Sequence, residues 1–399
     1  MQLLSTEKKN AVLDSMMKII ENEKERIIEA NQKHLNAFIR DDQALYDRLV
    51  VDEAKVTGMI QAIKEVRNQE DPVGNEISNI TLDSGLNIIN KTDPFGTILI
   101  IYESRPDVTI EAAVLAFKAN NKILLKGGKE ANESNIKLVE CWHKALAENG
   151  LDKDWITLMQ MNRQETQSFL MNPSQKLDLI VPRGGERLID FVKQYAKCAV
   201  LISGRGNNFL YVAKDADWNK SVEVIVNAKT DKISGCNALD KVLIDENIPN
   251  FDEKVRELAN VLQNSKVELL TDGKVSEVLK NQNKIGEEQV CYEEFLAMKI
   301  VLASTSSQEA AMEKINTYSG KHSSCIMTED AEKAKLFMEQ IDSAAVYHNA
   351  STRFTDGGQM GVGAELAIST DKLHHRGPLG LKQLVTNKYY VFGNGHVRK

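Results

Sequence analysis

The spacing of apolar and polar positions changes character twice along this 399-residue chain. Through residue 68, Leu13, Met16, Met17, Ile19 and Ile20, then Ile27, Ile28, Ala30 and Leu35, recur every three or four positions, with Glu and Lys between them. That is the signature of amphipathic helices. Asp71-Pro72-Val73-Gly74 breaks the pattern. Two β-prone runs, 76–82 and 86–90, then flank Asp83-Ser84-Gly85, which reads as a hairpin. A lone hairpin is marginal in water, so this one is expected to pack on something else, a second subunit being one option.

From Pro94 onward short apolar runs alternate with helical stretches. Strands are expected at 97–102, 122–125, 155–159, 177–181, 199–202 and 209–212, with helices at 133–148 and 186–195. A second block places strands at 241–244, 267–270, 300–303, 324–327 and 344–348, and helices at 251–263, 307–318 and 331–341. Such alternation predicts an α/β fold built on a mainly parallel sheet covered by helices. The stretch 351–380, rich in Gly and polar residues, reads as ordered loop outside the core, and 385–392 as a final strand.

Composition narrows the function classes. Fifty Lys and Arg against 57 Asp and Glu give a net charge of -7, which argues against nucleic acid as the main partner. The length suggests two or three domains at about 150 residues each. Five cysteines without CxxC spacing fit reduced thiols, not a disulfide framework or a zinc ribbon. Apolar runs are strand-sized, far below the roughly 20 residues that span a bilayer, and no leader-like stretch opens the sequence. A cytoplasmic protein is the expectation.

Cys236 stands out, because it follows Gly235 at a junction between a helical run (221–229) and a strand. Exposed backbone N–H groups there can lower a thiol pKa from about 8.5 and make a nucleophile. The alternative is a buried structural cysteine, and spacing alone does not choose between them. Cys141, Cys198, Cys291 and Cys325 read as packing residues. Two loops suit anions: Lys126-Gly127-Gly128-Lys129-Glu130 and Pro182-Arg183-Gly184-Gly185-Glu186, each running from a strand end to a helix start. Neither matches a GxGxxG or P-loop fingerprint, and tight turns use Gly for geometry alone. Arg105, after the strand ending at Tyr102, could pair with phosphate or carboxylate, or be a surface Arg before a Pro-initiated helix. The loop 349–358, with Asn349, Ser351, Thr352 and Arg353, suits an amino-acid carboxylate, a solvated polar loop being the bland reading. Adjacent His374 and His375 point apart on an extended segment and lack a third ligand, so no metal is expected.

These segments together resemble γ-glutamyl phosphate reductase (glutamate-5-semialdehyde dehydrogenase), a branch of the aldehyde dehydrogenase superfamily. The resemblance spans nearly the whole chain and is most specific at 94–96, 100–109, 126–131, 180–188, 227–230, 236–239, 343–358 and 375–380. It implies an aldehyde-dehydrogenase fold: a Rossmann-like cofactor domain over 1–74 and 92–220 with part of 343–384, an α/β catalytic domain over 221–342, and a small β-flap for oligomerisation from 75–91 and 385–399. The implied reaction is NADPH-dependent reduction of L-glutamyl 5-phosphate to L-glutamate 5-semialdehyde and phosphate, the second step of proline biosynthesis. By the same resemblance Cys236 is the nucleophile that forms a thioester, with Ser104 and the Cys236 N–H as oxyanion donors. Arg105, Asn349, Ser351, Thr352 and Arg353 would bind substrate. Lys126, Gly127, Gly128, Lys129, Glu130, Arg183, Gly184, Gly185 and Glu294 would bind NADPH/NADP, Glu294 at the nicotinamide ribose.

Hydrolytic relatives carry a general-base Glu where this chain has Ser203, which suits a thioester that must be protected from water. The chain departs from the family pattern at Asn208-Phe209, commonly Cys-His, in the residues before Cys236, and at Phe295-Leu296-Ala297. The implied partners are the small-molecule substrate, a second copy of the chain and glutamate 5-kinase, since no block of the sequence reads as a kinase. Two other readings stay open: another acylating aldehyde dehydrogenase, and a catalytically silent homologue that binds the kinase.

Overall fold

The computed structural model describes residues 2–36, 46, 48–280, 283–285 and 288–398. The part of the N-terminal helical expectation that falls on 1, 37–45 and 47 lies outside them. The chain forms two compact units: Met1–Ile202 with Gly361–Ala367 and Leu379–Lys399, and Ser203–Met360 with Ile368–Pro378. The expected cofactor domain ran to 220, whereas the compact division falls at 202/203.

In the first unit the amphipathic spacing gives helices Thr6–Asn22, Lys24–Asn36 and Glu53–Asn68. Ser5 and Asp52 cap two of them by accepting the Lys8 and Lys55 N–H groups. Their apolar faces (Val12, Leu13, Met16 and Ile20; Val56, Met59, Ile63 and Val66) enter one core with the helices Asp107–Lys118 and Asn132–Glu148. Beside them lies a four-stranded parallel sheet in the order Ile156–Leu158, Lys122–Lys126, Thr97–Tyr102, Leu179–Arg183. The run 199–202 is not a strand: it contributes a single parallel bridge, Val200 to Ile180.

The hairpin Glu76–Thr81 and Asn87–Pro94 is joined by Val385–Phe392 in a three-stranded antiparallel sheet. Ile77, Ile80, Tyr389, Val391 and Phe392 are exposed on it.

The second unit is a seven-stranded parallel sheet in the order Asn283–Lys284, Glu268–Asp272, Lys299–Thr305, Leu239–Asp245, Asn208–Val212, Ser323–Met327, Ala345–His348. The period of two sorts its side chains to two cores. Leu210, Val212, Val242 and Ile244 meet the helices Trp218–Thr230 and Phe251–Asn264. Phe209, Tyr211, Leu243 and Val301 meet Gln308–Tyr318 and Ala331–Gln340. A sheet covered on both faces explains why these strands read as continuous apolar runs.

The 351–380 stretch departs from expectation. It carries the strands Glu365–Ser369 and Gly377–Gly380, and Leu366, Ile368 and Leu379 are buried. No apolar run there exceeds three residues between glycines and polar residues, too short for periodicity to register. Among the described residues, no helix is long and apolar enough to cross a membrane.

Candidate active site

In the first unit, three strand ends bring the expected loops together. Tyr102 is registered against Arg183 on one side, and Ile101 against Lys126 on the other. Open parallel sheets bind ligands at such C-terminal strand edges. The Gly127 backbone packs so tightly on the Tyr102 ring and Asn135 that a β-carbon there would stand 2.2 Å from Asn135 Nδ2. That wall is set by a buried chain of bonds, Tyr102 to Thr109 at 2.7 Å and Thr109 to Asn135 at 2.8 Å.

Carboxylates line both glycine loops: Glu130 belongs to the first by sequence, and Glu103 reaches the second only through the fold. Glu103 Oε2 accepts the Gly185 N–H at 3.0 Å, at the start of the helix Glu186–Tyr195. Ser104, held at φ 40°, donates its hydroxyl to Glu130 at 2.6 Å. Arg105 pairs with Asp107 at 2.9 Å and Arg183 with Glu111 at 3.6 Å. Burial opposes ionisation of Asp107, but the cations around it, Arg105 first with Lys55 and Arg183, outweigh burial and hold the carboxyl below its usual range. Burial pushes the Glu111 carboxyl up.

In the second unit, Cys236 lies on the turn between the helix Trp218–Thr230 and the strand Leu239–Asp245, and is half-buried. None of the five cysteines is in a disulfide. Burial pushes the Cys141 thiol up to about 11 and the Cys325 thiol up to about 12, and raises Cys198 and Cys291. Cys141 and Cys325 are buried, as packing residues are, whereas Cys198 and Cys291 are half-buried.

The Cys236 turn rests directly on Gly206, where a β-carbon would come within 2.1 Å of the Cys236 carbonyl oxygen. A second turn is fastened to it. Thr352 Oγ1 donates to the Asn237 carbonyl at 2.7 Å, and Asn237 Nδ2 donates to the carbonyls of Arg353 at 3.1 Å and Thr355 at 2.9 Å. This places the Arg353 guanidinium beside Gly235, with Nε on Asp231 at 3.0 Å. Ser351 caps the short 3-10 helix Thr352–Phe354. Asn349 spends both ends of its amide on Thr328. Of the four residues expected to bind substrate here, Asn349, Ser351 and Thr352 shape the turn and Arg353 presents the charge. His375 bonds the Pro378 carbonyl, and among the described residues no cluster of three or more potential metal ligands occurs.

Glu294 belongs to this unit as well. Burial first, and Asp240 second, push its carboxyl up to about 7, while the Gly206 N–H works the other way. The folded chain therefore keeps a proton that the unfolded chain releases near pH 4.5. Stability should fall as pH rises from about 4.5 to 7, and Glu294→Gln should flatten that slope. Urea midpoints at pH 5 and pH 7.5 for both chains measure the difference; equal pH dependence would contradict the raised carboxyl.

The segment around Glu294 is held by buried charge. Lys229 and Asp240 pair at 2.9 Å with both side chains nearly inaccessible, Asp240 accepts the Phe295 N–H at 3.0 Å, and Lys241 donates to the Glu293 carbonyl. Sequence reasoning missed Asp240 and Lys241; Glu103 and Lys229 were visible only as parts of motifs, and Asn208 only as a departure.

A model of the aldehyde dehydrogenase family matches residues 1–276. The γ-glutamyl phosphate reductase of Hydrogenobaculum sp. (strain Y04AAS1) is 40% identical, covering 98% of this chain and 91% of that protein. γ-Glutamyl phosphate reductase 2 of Bacillus licheniformis is 38% identical over 99% of this chain and 94% of its own length. The crystal structure of the Thermotoga maritima γ-glutamyl phosphate reductase superposes with a TM-score of 0.95 at 37% identity, over 99% of this chain and 95% of that one.

Proposed function

The chain belongs to the aldehyde dehydrogenase family, in its γ-glutamyl phosphate reductase branch, and from that premise we propose that it reduces L-glutamyl 5-phosphate to L-glutamate 5-semialdehyde and phosphate through a thioester on Cys236. The observation that carries the reading is the Cys236 turn, seated on Gly206 and fastened to the turn bearing Arg353. The thiolate attacks the acyl carbon, and the C–S bond forms as the C–O bond to phosphate breaks. Phosphate leaves with that electron pair, so no further activation is needed. By the family resemblance, Ser104 and the Cys236 N–H are assigned to the oxyanion of the tetrahedral intermediate. Arg353 is assigned to the substrate α-carboxylate and Arg105 to its phosphate. Asn349, Ser351 and Thr352 serve the substrate by holding the turn that carries Arg353. Cys236 departs as thiolate when the aldehyde is released. Ser203 offers no general base to activate water at the thioester.

The family uses a nicotinamide cofactor, and NADPH is the form proposed here. Residues of the first unit fit its phosphates: the Gly185 N–H, at the start of a ten-residue helix, would exchange the Glu103 carboxylate for a phosphate oxygen, and Arg183 stands two positions earlier. Lys126, Gly127, Gly128, Lys129, Glu130 and Gly184 complete that set, and Glu294 would hold the nicotinamide ribose. When bound, the cofactor would supply the hydride that reduces the thioester. The proposal extends to a homo-oligomer formed through the exposed apolar residues of the three-stranded sheet, to a cytoplasmic location, and to supply of the labile acyl phosphate by glutamate 5-kinase.

The reaction is most readily assayed in reverse. Glutamate 5-semialdehyde should reduce NADP⁺ only when inorganic phosphate is present. Reduction that proceeds equally without phosphate would mean a hydrolytic dehydrogenase and overturn the proposal.

A further inference from the structure

We propose that Asn208 is a positioning residue for the nucleophile, its buried carboxamide fixing the peptide planes that carry Cys236. The proposal rests on the reading of Cys236 as nucleophile. Asn208 Nδ2 donates to the Cys236 carbonyl at 2.8 Å and to the Ala238 carbonyl at 2.7 Å, and its Oδ1 accepts the Ser323 N–H at 2.9 Å. Its side chain is 0% exposed, so water cannot replace a lost bond. With Thr352 on the Asn237 carbonyl, three consecutive carbonyls, those of Cys236, Asn237 and Ala238, each receive a side-chain donor. Peptides here are trans, so turning the Cys236 carbonyl toward Asn208 turns the Asn237 N–H to the opposite side. Gly206 forms the floor of the same turn. The backbone on which the sulfur is mounted is therefore held in one orientation.

The strand itself aims Asn208 there. Asn208 pairs with Leu239 but Phe209 pairs with Lys241, so the ladder slips by one residue at this point. Such a bulge re-aims side chains near functional sites. The extra residue, Asp240, faces Lys229 and Phe295, and Asn208 is left facing the nucleophile turn.

The test compares Asn208→Ala and Asn208→Asp with the unaltered chain, in the phosphate-dependent semialdehyde assay from pH 6 to pH 9, alongside thermal melts. Asn208→Ala should lower kcat about ten- to a hundredfold, the scale expected for a reacting group misplaced by about 1 Å, with KM for NADP⁺ little changed. Asn208→Asp should be at least as slow at pH 8, because a carboxylate would face two carbonyl oxygens. Its kcat relative to the unaltered chain should climb as pH falls, because the protonated carboxyl can donate to one of them. A purely structural role would lower melting temperature without that pH-dependent recovery. If the alanine variant does not fold, Asn208→Ser, which keeps one short donor, gives the same kcat comparison. The inference is overturned if folded variants keep kcat within twofold, or if the ratio stays flat across pH. Cys236→Ala run in parallel separates the two readings: turnover in that variant defeats the proposed function, whereas a dead Cys236→Ala beside unaffected Asn208 variants defeats only the positioning role.

Discussion

Replacing Cys236 with alanine is expected to reduce phosphate-dependent NADP⁺ reduction by glutamate 5-semialdehyde by at least about 10⁴-fold, as removal of a catalytic nucleophile does elsewhere. Folding should survive the change. Cys236 is half-buried on a turn whose bonds run through main-chain carbonyls and through Asn208, Thr352 and Asn237, none of which the substitution removes. A melting temperature within a few degrees of the original, with activity gone, is the predicted pair of results. Mass spectrometry of the original enzyme quenched during turnover with glutamyl phosphate should show acylation at Cys236. Turnover in the alanine variant near the original rate, or acylation at any other cysteine, would refute the covalent route.

The second large effect concerns stability. Lys229 and Asp240 are 0% and 2% exposed, so their ion pair stands outside water. Removing one partner leaves the other charge buried and alone, which costs about 3–5 kcal/mol. Asp240→Leu also strips the acceptor from the Phe295 N–H, and Lys229→Met removes only the cation. Each single change should lower the denaturation midpoint sharply, whereas Lys229→Met combined with Asp240→Leu should recover much of the loss, because an apolar pair of similar volume avoids the desolvation cost. Urea titration of the three variants reads this directly. Additive losses would show that the pair is not coupled as the geometry indicates. Because Asp240 anchors Phe295 next to Glu294, the single variants should also bind NADPH more weakly than their remaining folded fraction predicts.

Much of this architecture could be read in advance because its two largest sheets are parallel and buried. Runs such as 97–102, 209–212 and 300–303 are apolar on both faces, and the helices between them carry strong stripes and acidic caps. The same reasoning failed at 199–202, where an apolar run supplies one bridge, and at 365–369, where a short core strand sits among glycines. Cys236, Arg353 and the two glycine loops were visible as residue types that suit the chemistry. What positions them was not. Glu103 reaches Gly185 across 82 residues, and Asn208 reaches Cys236 across 28. Contacts at that separation leave no periodic trace, and the bulge that aims Asn208 and Asp240 is a slip of register invisible to alternation counts. Asn208 could be noticed only as a mismatch with the family pattern; its meaning required coordinates.

The strand Asn87–Pro94 pairs on one side with its hairpin neighbour and on the other with Val385–Phe392, nearly 300 positions later. At about 5–20 residues per second on a ribosome, the later strand emerges roughly 15–60 s after the earlier one. For that interval a nascent chain carries an unzipped edge, open to capture by a neighbouring copy on the same message. Lys91, Asp93 and Pro94, two charges and a residue without a donor, stand along it as guards against polymerisation during synthesis.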